Sequence, residues 1–195
     1  MHILLKLTKL IELFNDLAGQ IGRNIAVGAM GLMVVIILAQ VFFRYVLNNA
    51  LSWPDEAARF LMLWLTGLMG PVAMRRGGMV AINGFRDLLP GIFLQLMIFC
   101  LLIVSALVLV VAMRLGWDHV TSGWLFASSS LKVPLHFLGM KTVKIKLAWT
   151  YMSLFVGFSL MFIVNIELLM RNILTMLGRG HNLKPLEPEQ PVGVD

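Results

Sequence analysis

The chain has little charge, a single cysteine and long stretches without an ionisable side chain. Only 13% of its 195 residues are charged, about half the share typical of a soluble domain. The one cysteine, Cys100, excludes an internal disulfide and a cysteine-built metal site. Three apolar runs, at residues 24–43, 92–113 and 147–166, contain no Asp, Glu, His, Lys or Arg. Proton and ion pathways usually place such groups inside the bilayer, so these absences favour a membrane scaffold over a catalyst.

What the chain does contain is apolar sequence, at 59% of its residues. A helix needs about 20 apolar residues to cross the hydrocarbon core of a bilayer. We therefore predict an all-α membrane protein, a single membrane domain over residues 1–195 with four transmembrane helices. The spans are expected at about 24–45, 53–74, 92–113 and 147–170. The tail at 180–195 is rich in proline and is predicted to be disordered.

Residues 1–23 precede the first span and show a strongly amphipathic helical pattern. We predict an N-terminal helix that lies in the membrane interface with its apolar face towards the lipid. The alternative is a soluble helix that packs on the cytoplasmic ends of the bundle. Gly22 and Arg23 are expected to form the turn into the first span. The polar face would carry Lys6, Lys9, Glu12, Asn15, Asp16 and Gln20.

The second span begins with a dense set of helix-start signals. Ser52 can cap the helix, with Asp55 three residues later. Arg59 lies on the same face as Asp55 and Glu56 and can pair with either acid. We favour this self-paired helix start over the alternative, a docking surface for a partner. Gln40, near the end of the first span, is expected to make a helix–helix hydrogen bond.

Two further features concern the ends of the helices and their packing. We expect the second helix to end at the run Arg75-Arg76-Gly77-Gly78. We expect the long connection at 114–146 to be functional or partly helical. Small residues at helical spacing predict close helix contacts, either with a partner or within the bundle. These pairs are Gly22/Ala26, Thr66/Gly70 and Ser153/Gly157.

The net charge of +6 comes from basic residues scattered between the apolar segments. This pattern indicates contact with lipid head groups, and no separate basic domain suggests nucleic-acid binding. With the N-terminus inside, we count nine Lys and Arg residues on the cytoplasmic side against seven outside. That balance leans towards cytoplasmic termini.

A series of residues between the first span and the end of the second forms a recognisable pattern. An Arg-Tyr pair comes first, a Trp with a nearby acid follows, and a basic pair with glycine closes the second helix. The matching positions are Arg44, Tyr45, Trp53, Glu56, Arg59, Trp64, Gly70, Arg75, Arg76 and Gly77. The pattern resembles the small membrane subunit of TRAP transporters, the DctQ-like family. The chain departs from it at Met79, Asn83 and Phe155.

The resemblance implies a function in transport. A large twelve-span permease subunit would carry the substrate and sodium sites, and a periplasmic binding protein would deliver an organic acid. The chain would be a multi-pass protein of the bacterial inner membrane with both termini in the cytoplasm. It would have no enzymatic activity, no cofactor and no metal. The matched residues, together with Asp55, are candidate structural or partner-interface residues.

An alternative is the membrane anchor of a respiratory or other membrane complex. Anchors of this kind hold haem through histidines on facing helices. All four histidines, at positions 2, 119, 136 and 181, lie outside the expected spans, which argues against a haem site. An intramembrane enzyme built on His119 with Asp118, or on His136 with the nearby serines, is disfavoured, because no spacing of nucleophile and base stands out.

Overall fold

The computed structural model describes residues 2–49, 51–86, 91–133 and 143–178, which form four long helices and one β-hairpin. The helices are α1 (His2–Tyr45), α2 (Pro54–Arg86), α3 (Gly91–Gly123) and α4 (Ala148–Met176). Between α3 and α4 in the chain are two strands, β1 (Ala127–Val133) and β2 (Val143–Lys146). Each helix contains a segment long and apolar enough to cross a membrane. The prediction of an all-α protein with four transmembrane helices is confirmed.

Helix α1 runs without a break, so the turn predicted at Gly22 and Arg23 is wrong. A glycine inside a helix costs about 1 kcal/mol but does not end the helix by itself. Gly22 also has a packing role, because a Cβ at this position would lie 3.4 Å from the Leu68 carbonyl oxygen of α2. The amphipathic segment is therefore the first part of a longer helix. Its placement in the membrane interface stays a prediction.

The turn after α1 and the start of α2 are well defined. Asn48 adopts a φ of 49°, a left-handed conformation that asparagine tolerates, and the Asn49 N–H donates to the Phe43 carbonyl at 3.0 Å. Helix α2 begins at Pro54, and the Ala57 N–H donates to the Trp53 carbonyl at 3.0 Å. Trp53 is thus the N-cap, where Ser52 had been expected, because proline favours the first helical position.

Helix α2 also continues past Gly77 and Gly78 to Arg86, so the predicted break after the basic pair is wrong. A glycine usually ends a helix by adopting a left-handed conformation. Among the described glycines, only Gly178 has a positive φ, of 73°. That residue follows α4, where the helix does end.

The long connection at 114–146 contains more regular structure than expected. Helix α3 extends into it as far as Gly123, and the two strands then pair in an antiparallel sheet. Their register places Ala127 opposite Lys146 and Lys132 opposite Lys144. Residues 134–142 of the connection and the tail at 180–195 lie outside the described residues.

The chain divides into two compact units. Unit 1 comprises Met1–Gly19, Gly70–Val111 and Ser159–Asp195, and unit 2 comprises Gln20–Met69 and Ala112–Phe158. Unit 1 therefore takes the first part of α1, the second part of α2, the first part of α3 and the second part of α4. Unit 2 takes the remaining parts of the same helices and the hairpin.

The core of unit 1 contains an unusual number of polar side chains. Its apolar α1 residues face outwards, and Leu10 and Leu13 are 66% and 67% exposed. Lipid can cover such an outward face, whereas polar groups that face inwards need partners inside the protein. The buried polar side chains of unit 1 are Thr8, Glu12, Asn15, Asn165, Glu167 and Asn172.

The core of unit 2 is built mainly from small residues. Gly157 lies against Gly67, and a Cβ added to Gly157 would be 2.8 Å from the Gly67 Cα. A Cβ added to Gly67 would in turn be 2.5 Å from the Ser153 carbonyl oxygen. The predicted small pair Ser153/Gly157 therefore serves packing within the bundle, between α2 and α4.

Candidate functional site

A cluster of charged and amide side chains occupies the interior of unit 1, and we call it the charge cluster. Three helices supply it. Glu12, Asn15 and Asp16 recur at three- and four-residue spacing, which places them on one face of α1. Helix α4 provides two residues four positions apart, and α2 provides one. The cluster consists of Glu12, Asn15, Asp16, Arg75, Glu167 and Arg171.

Glu167 lies at the centre of the charge cluster, and its side chain is fully buried. Its Oε1 atom accepts hydrogen bonds from Arg75 and from Nε of Arg171, each at 2.9 Å. Its Oε2 atom accepts from the Asn15 amide at 2.6 Å. Both oxygens are therefore bonded to cationic or amide donors, as a buried carboxylate requires.

Besides its contact with Glu167, each arginine contacts a carboxylate of α1. Arg75 donates to Asp16 at 2.5 Å, and Arg171 lies 3.2 Å from Glu12. Three carboxylates thus face two guanidinium groups. In a low-dielectric interior, an ion that loses its partner is costly. The arrangement is suited to holding α1, α2 and α4 in one register.

Part of the charge cluster was not foreseen from the sequence. Glu12, Asn15 and Asp16 were placed on the face opposite the apolar stripe, but that face is directed into the protein. Arg75 was predicted as a structural or partner-interface residue, and within its own chain it contacts Asp16 and Glu167. The available signal was the coincidence of an acidic helix face with two arginines, one directly after the expected second span and one directly after the expected fourth span.

The remaining predicted residues of unit 1 are Gly70 and Arg76. A Cβ on Gly70 would collide with the terminal methyl group of Met161, so this glycine serves packing against α4. Arg76 is half-buried. As with Arg75, the part that these two residues play towards a partner remains a proposal.

In unit 2, the predicted residues near the turn between α1 and α2 are mostly exposed. The Arg44 guanidinium lies over the Tyr45 ring, 5.8 Å from its centroid. Trp53 and Arg59 are exposed, and Glu56 is half-buried. The Gln40 amide donates to Asp55 at 2.9 Å, which confirms a helix–helix hydrogen bond for Gln40. Asp55 therefore contacts α1, whereas the sequence had offered either Asp55 or Glu56 as the partner of Arg59.

Trp64 is the last predicted residue of unit 2. Its ring packs at a tilt against Phe60, with centroids 6.4 Å apart. The indole Nε1 is buried and has no hydrogen-bond partner in the part of the chain that the structure describes.

A second group of side chains surrounds the place where the hairpin joins the helices. We define residues 123–126 and 146–149 as the hairpin base. The Trp124 and Trp149 rings meet edge to face at 6.4 Å, and the Lys146 ammonium lies 5.0 Å from the Trp124 ring centroid. This group combines exposed aromatic surface with positive charge.

The aromatic contacts continue along α3 and α4. Trp117 packs on Phe155 at 5.3 Å, and His119 packs on Tyr151 at 5.9 Å between ring centroids. His119 Nδ1 lies 2.7 Å from the Leu115 carbonyl oxygen, so Nδ1 carries the proton and donates. The ring of His119 is thus oriented by its own helix and by Tyr151.

The geometry is that of a membrane bundle whose polar groups bond mainly to one another. The family model of the DctQ component of tripartite ATP-independent periplasmic transporters matches residues 33–175. The chain belongs to this family, and the resemblance found in the sequence is confirmed. A relative from Vibrio cholerae serotype O1, named sialic acid TRAP transporter small permease protein SiaQ, is 24% identical over 173 residues. The aligned region covers 86% of this chain and 90% of the relative.

The family assignment defines the class of protein. DctQ components are subunits of transporters rather than enzymes, and they work with a large permease and a substrate-binding protein. The chain is therefore a multi-pass membrane protein with an accessory role in a TRAP transporter. This result favours a transporter subunit over the anchor of a respiratory complex.

Proposed function

We propose that the chain scaffolds a large permease subunit in the bacterial inner membrane for binding-protein-dependent, ion-coupled uptake of an organic acid. The family match over residues 33–175 carries this proposal. The relative from Vibrio cholerae is named for sialic acid, which is a carboxylic acid, and this supports an organic acid as the substrate class.

The distribution of polar side chains supports a scaffold. In unit 1 the charged residues of the charge cluster pair with one another, while the outward faces of α1 and α3 are apolar. Outward residues of α3 such as Val104 and Leu107 are 57% and 64% exposed. Faces of this kind suit lipid or another membrane protein. A subunit with such faces adds fixed hydrophobic area to the complex, which resists tilting of the static part while another part moves.

The solute pathway belongs to the partner in this proposal. The large subunit would have twelve spans and would carry the substrate and sodium sites. Both termini of the present chain would be cytoplasmic. The turn between α1 and α2 and the β-hairpin would then face the periplasm, where the binding protein docks.

Reconstitution tests the scaffold proposal. Proteoliposomes would contain the large permease with or without this chain, and uptake of a radiolabelled organic acid would be measured with the binding protein outside. We expect uptake with both subunits and little with the large subunit alone. The chain alone should accumulate nothing. Equal uptake with and without the chain, at equal insertion of the large subunit, would contradict the proposal.

A matched pair of charge reversals tests the proposed orientation. Arg59→Glu changes an exposed residue of unit 2 on the side proposed to be periplasmic, and Lys9→Glu changes an exposed residue of unit 1 on the side proposed to be cytoplasmic. We expect Arg59→Glu to weaken uptake at limiting binding protein, with less effect at saturation. Lys9→Glu should leave the dependence of uptake on binding-protein concentration unchanged. The reverse pattern would overturn the orientation.

A further inference from the structure

We propose that the hairpin base binds the phosphate group of an anionic glycerophospholipid at the membrane interface. This inference goes beyond the scaffold function, since it concerns a lipid site on this chain alone. It depends on the rigidity of the base, its exposed aromatic surface and the two exposed lysines of β2, Lys146 in the base and Lys144 beside it.

The backbone of the hairpin base is held firmly. A Cβ on Gly123 would lie 2.7 Å from the Ala148 nitrogen, so α3 and α4 approach as closely as a glycine allows. The Leu147 N–H donates to the Phe126 carbonyl at 3.2 Å, next to the ladder pair of Ala127 and Lys146. Ala148 is fully buried. The side chains of the base therefore project from a fixed frame.

The outward surface of the hairpin base is strongly apolar. Leu125 is 83% exposed and Phe126 is 62% exposed, and Trp124 and Trp149 are each almost half exposed. All four lie within three residues of the end of α3 or the start of α4, both of which are candidate membrane spans. Tryptophan at the end of a span prefers the head-group level, where the ring meets lipid and the N–H meets polar groups.

Positive charge accompanies this apolar surface. Lys144 and Lys146 are exposed and two residues apart on β2, which places them on the same face of the strand. Lys146 forms no ion pair within the described ranges, and its ammonium lies over the Trp124 ring. A cation over an aromatic face keeps most of its N–H donors available. Those donors suit phosphate oxygens.

The strands themselves offer no acidic partner for these lysines. Neither β1 nor β2 contains an acidic residue. The nearest acid in the sequence, Asp118, lies on α3 outside the base.

The combination points to a lipid phosphate rather than to an acidic protein surface. Lysines alone would suit either ligand. Leu125 and Phe126, however, need an apolar environment next to the anion, and acyl chains next to a phosphate supply it.

Native mass spectrometry of the purified full-length chain tests the proposal, together with its large subunit if the two co-purify. Detergent-solubilised protein would be titrated with phosphatidylglycerol and with phosphatidylcholine of the same acyl chains. We expect tighter binding of phosphatidylglycerol. The double variant Lys144→Gln/Lys146→Gln should lose this preference, by roughly fivefold for each lysine.

Two further variants serve as controls. Lys6→Gln/Lys9→Gln removes the same charge from exposed lysines of α1 and should keep the preference. Lys144→Arg/Lys146→Arg keeps the charge and should restore binding, which separates a lipid site from a folding defect. Free glycerol phosphate should not compete, because it lacks acyl chains.

Tryptophan fluorescence provides a second readout in vesicles that contain phosphatidylglycerol with brominated acyl chains. Quenching should fall in Trp124→Phe/Trp149→Phe by more than in Trp64→Phe, whose indole nitrogen is buried. Equal binding of the two lipids by the natural chain would overturn the proposal. So would an equal loss of the preference for phosphatidylglycerol in Lys144→Gln/Lys146→Gln and in Lys6→Gln/Lys9→Gln. Loss of binding-protein-dependent uptake with unchanged lipid binding would assign the base to protein docking instead.

Discussion

The two compact units hold their helices together in different ways. In unit 1, α1, α2 and α4 are joined by ion pairs and amide hydrogen bonds around the buried Glu167. In unit 2, the backbones of α2 and α4 meet at Gly67 and Gly157, and α3 meets the start of α4 at Gly123. Unit 1 depends on ion pairs and amide hydrogen bonds, and unit 2 depends on glycines, whose lack of a side chain lets the backbones approach.

The difference shows two solutions to one physical problem. Helices in lipid gain little hydrophobic free energy from association, because lipid tails are as apolar as leucine. Close backbone packing and polar bonds must therefore supply the attraction. A close contact at glycine has no room for an added side chain, but its disruption exposes no unpaired charge. A charge cluster tolerates changes of shape better than it tolerates loss of one ion.

The largest expected effect comes from removing the centre of the charge cluster. Glu167→Ala removes the carboxylate that Arg75 and Arg171 share, so buried donors of both guanidinium groups and of the Asn15 amide lose their acceptor. We expect a loss of about 3–5 kcal/mol in the free energy of unfolding. The measurement is a denaturation curve in mild detergent with increasing dodecyl sulfate. Asp118→Ala, which removes an exposed acid from α3, is the control and should change little. A Glu167→Ala curve that overlies the natural one would show that the cluster is not stabilising.

A second prediction concerns the glycine contact of unit 2. Gly157→Ala adds a methyl group where 2.8 Å separates it from the Gly67 Cα, so the helices must move apart. We expect a loss of about 1–3 kcal/mol from this overpacking, measured in the same denaturation assay. Gly31→Ala is matched to it, because a Cβ there meets nothing within 4 Å. Equal losses in the two variants would mean that helix propensity, not close packing, governs unit 2.

A smaller effect is expected from an amide in the apolar part of unit 1. With its amide oriented to satisfy both groups, Asn165 donates to the Leu102 carbonyl at 3.2 Å and accepts from the Ser105 hydroxyl at 2.9 Å. Interhelical hydrogen bonds in membranes contribute about 0.6 kcal/mol on average. Asn165→Leu should therefore cost roughly this amount. Combination with Ser105→Ala in a double-mutant cycle should give less than the sum of the single losses, and strict additivity would exclude the bond.

The smallest effect is expected at the exposed contact between α1 and α2 in unit 2. Gln40→Leu removes the hydrogen bond to Asp55 in a place where water or head groups can replace it. The expected loss is below about 0.5 kcal/mol. Asp55→Asn, which keeps an acceptor, should be neutral in the same assay. A loss comparable to that of Glu167→Ala would remove the distinction between buried and exposed polar contacts on which the comparison rests.

The sequence predicted several elements well because their signals are local or follow from length. The four spans follow from long apolar runs, and the helix–helix hydrogen bond of Gln40 follows from an amide inside an apolar segment. The ends of helices were predicted less well. Gly77 and Gly78 lie inside α2, and Gly22 lies inside α1. A glycine permits a break without requiring one, so surrounding packing decides.

The candidate site was predicted in part. The series from Arg44 to Arg76 pointed to the family, and the family model matches residues 33–175, which include this series. It did not reveal that Arg75 contacts Glu167, since these residues are 92 positions apart. The hairpin was missed for a similar reason. Its strands are short, and their pairing depends on the approach of α3 to α4 at Gly123.

The amino-acid sequence by itself determined that the chain is a four-helix membrane protein and, through its motif, which family it belongs to. A continuous apolar run of about 20 residues matches the length of a spanning helix, and a helix bonds every backbone polar group within its own segment. Only the tertiary structure decided the direction of the polar face of α1. An amphipathic pattern specifies two faces, but which one meets the protein depends on partners from distant parts of the chain. Here those partners are Arg75, Glu167 and Arg171.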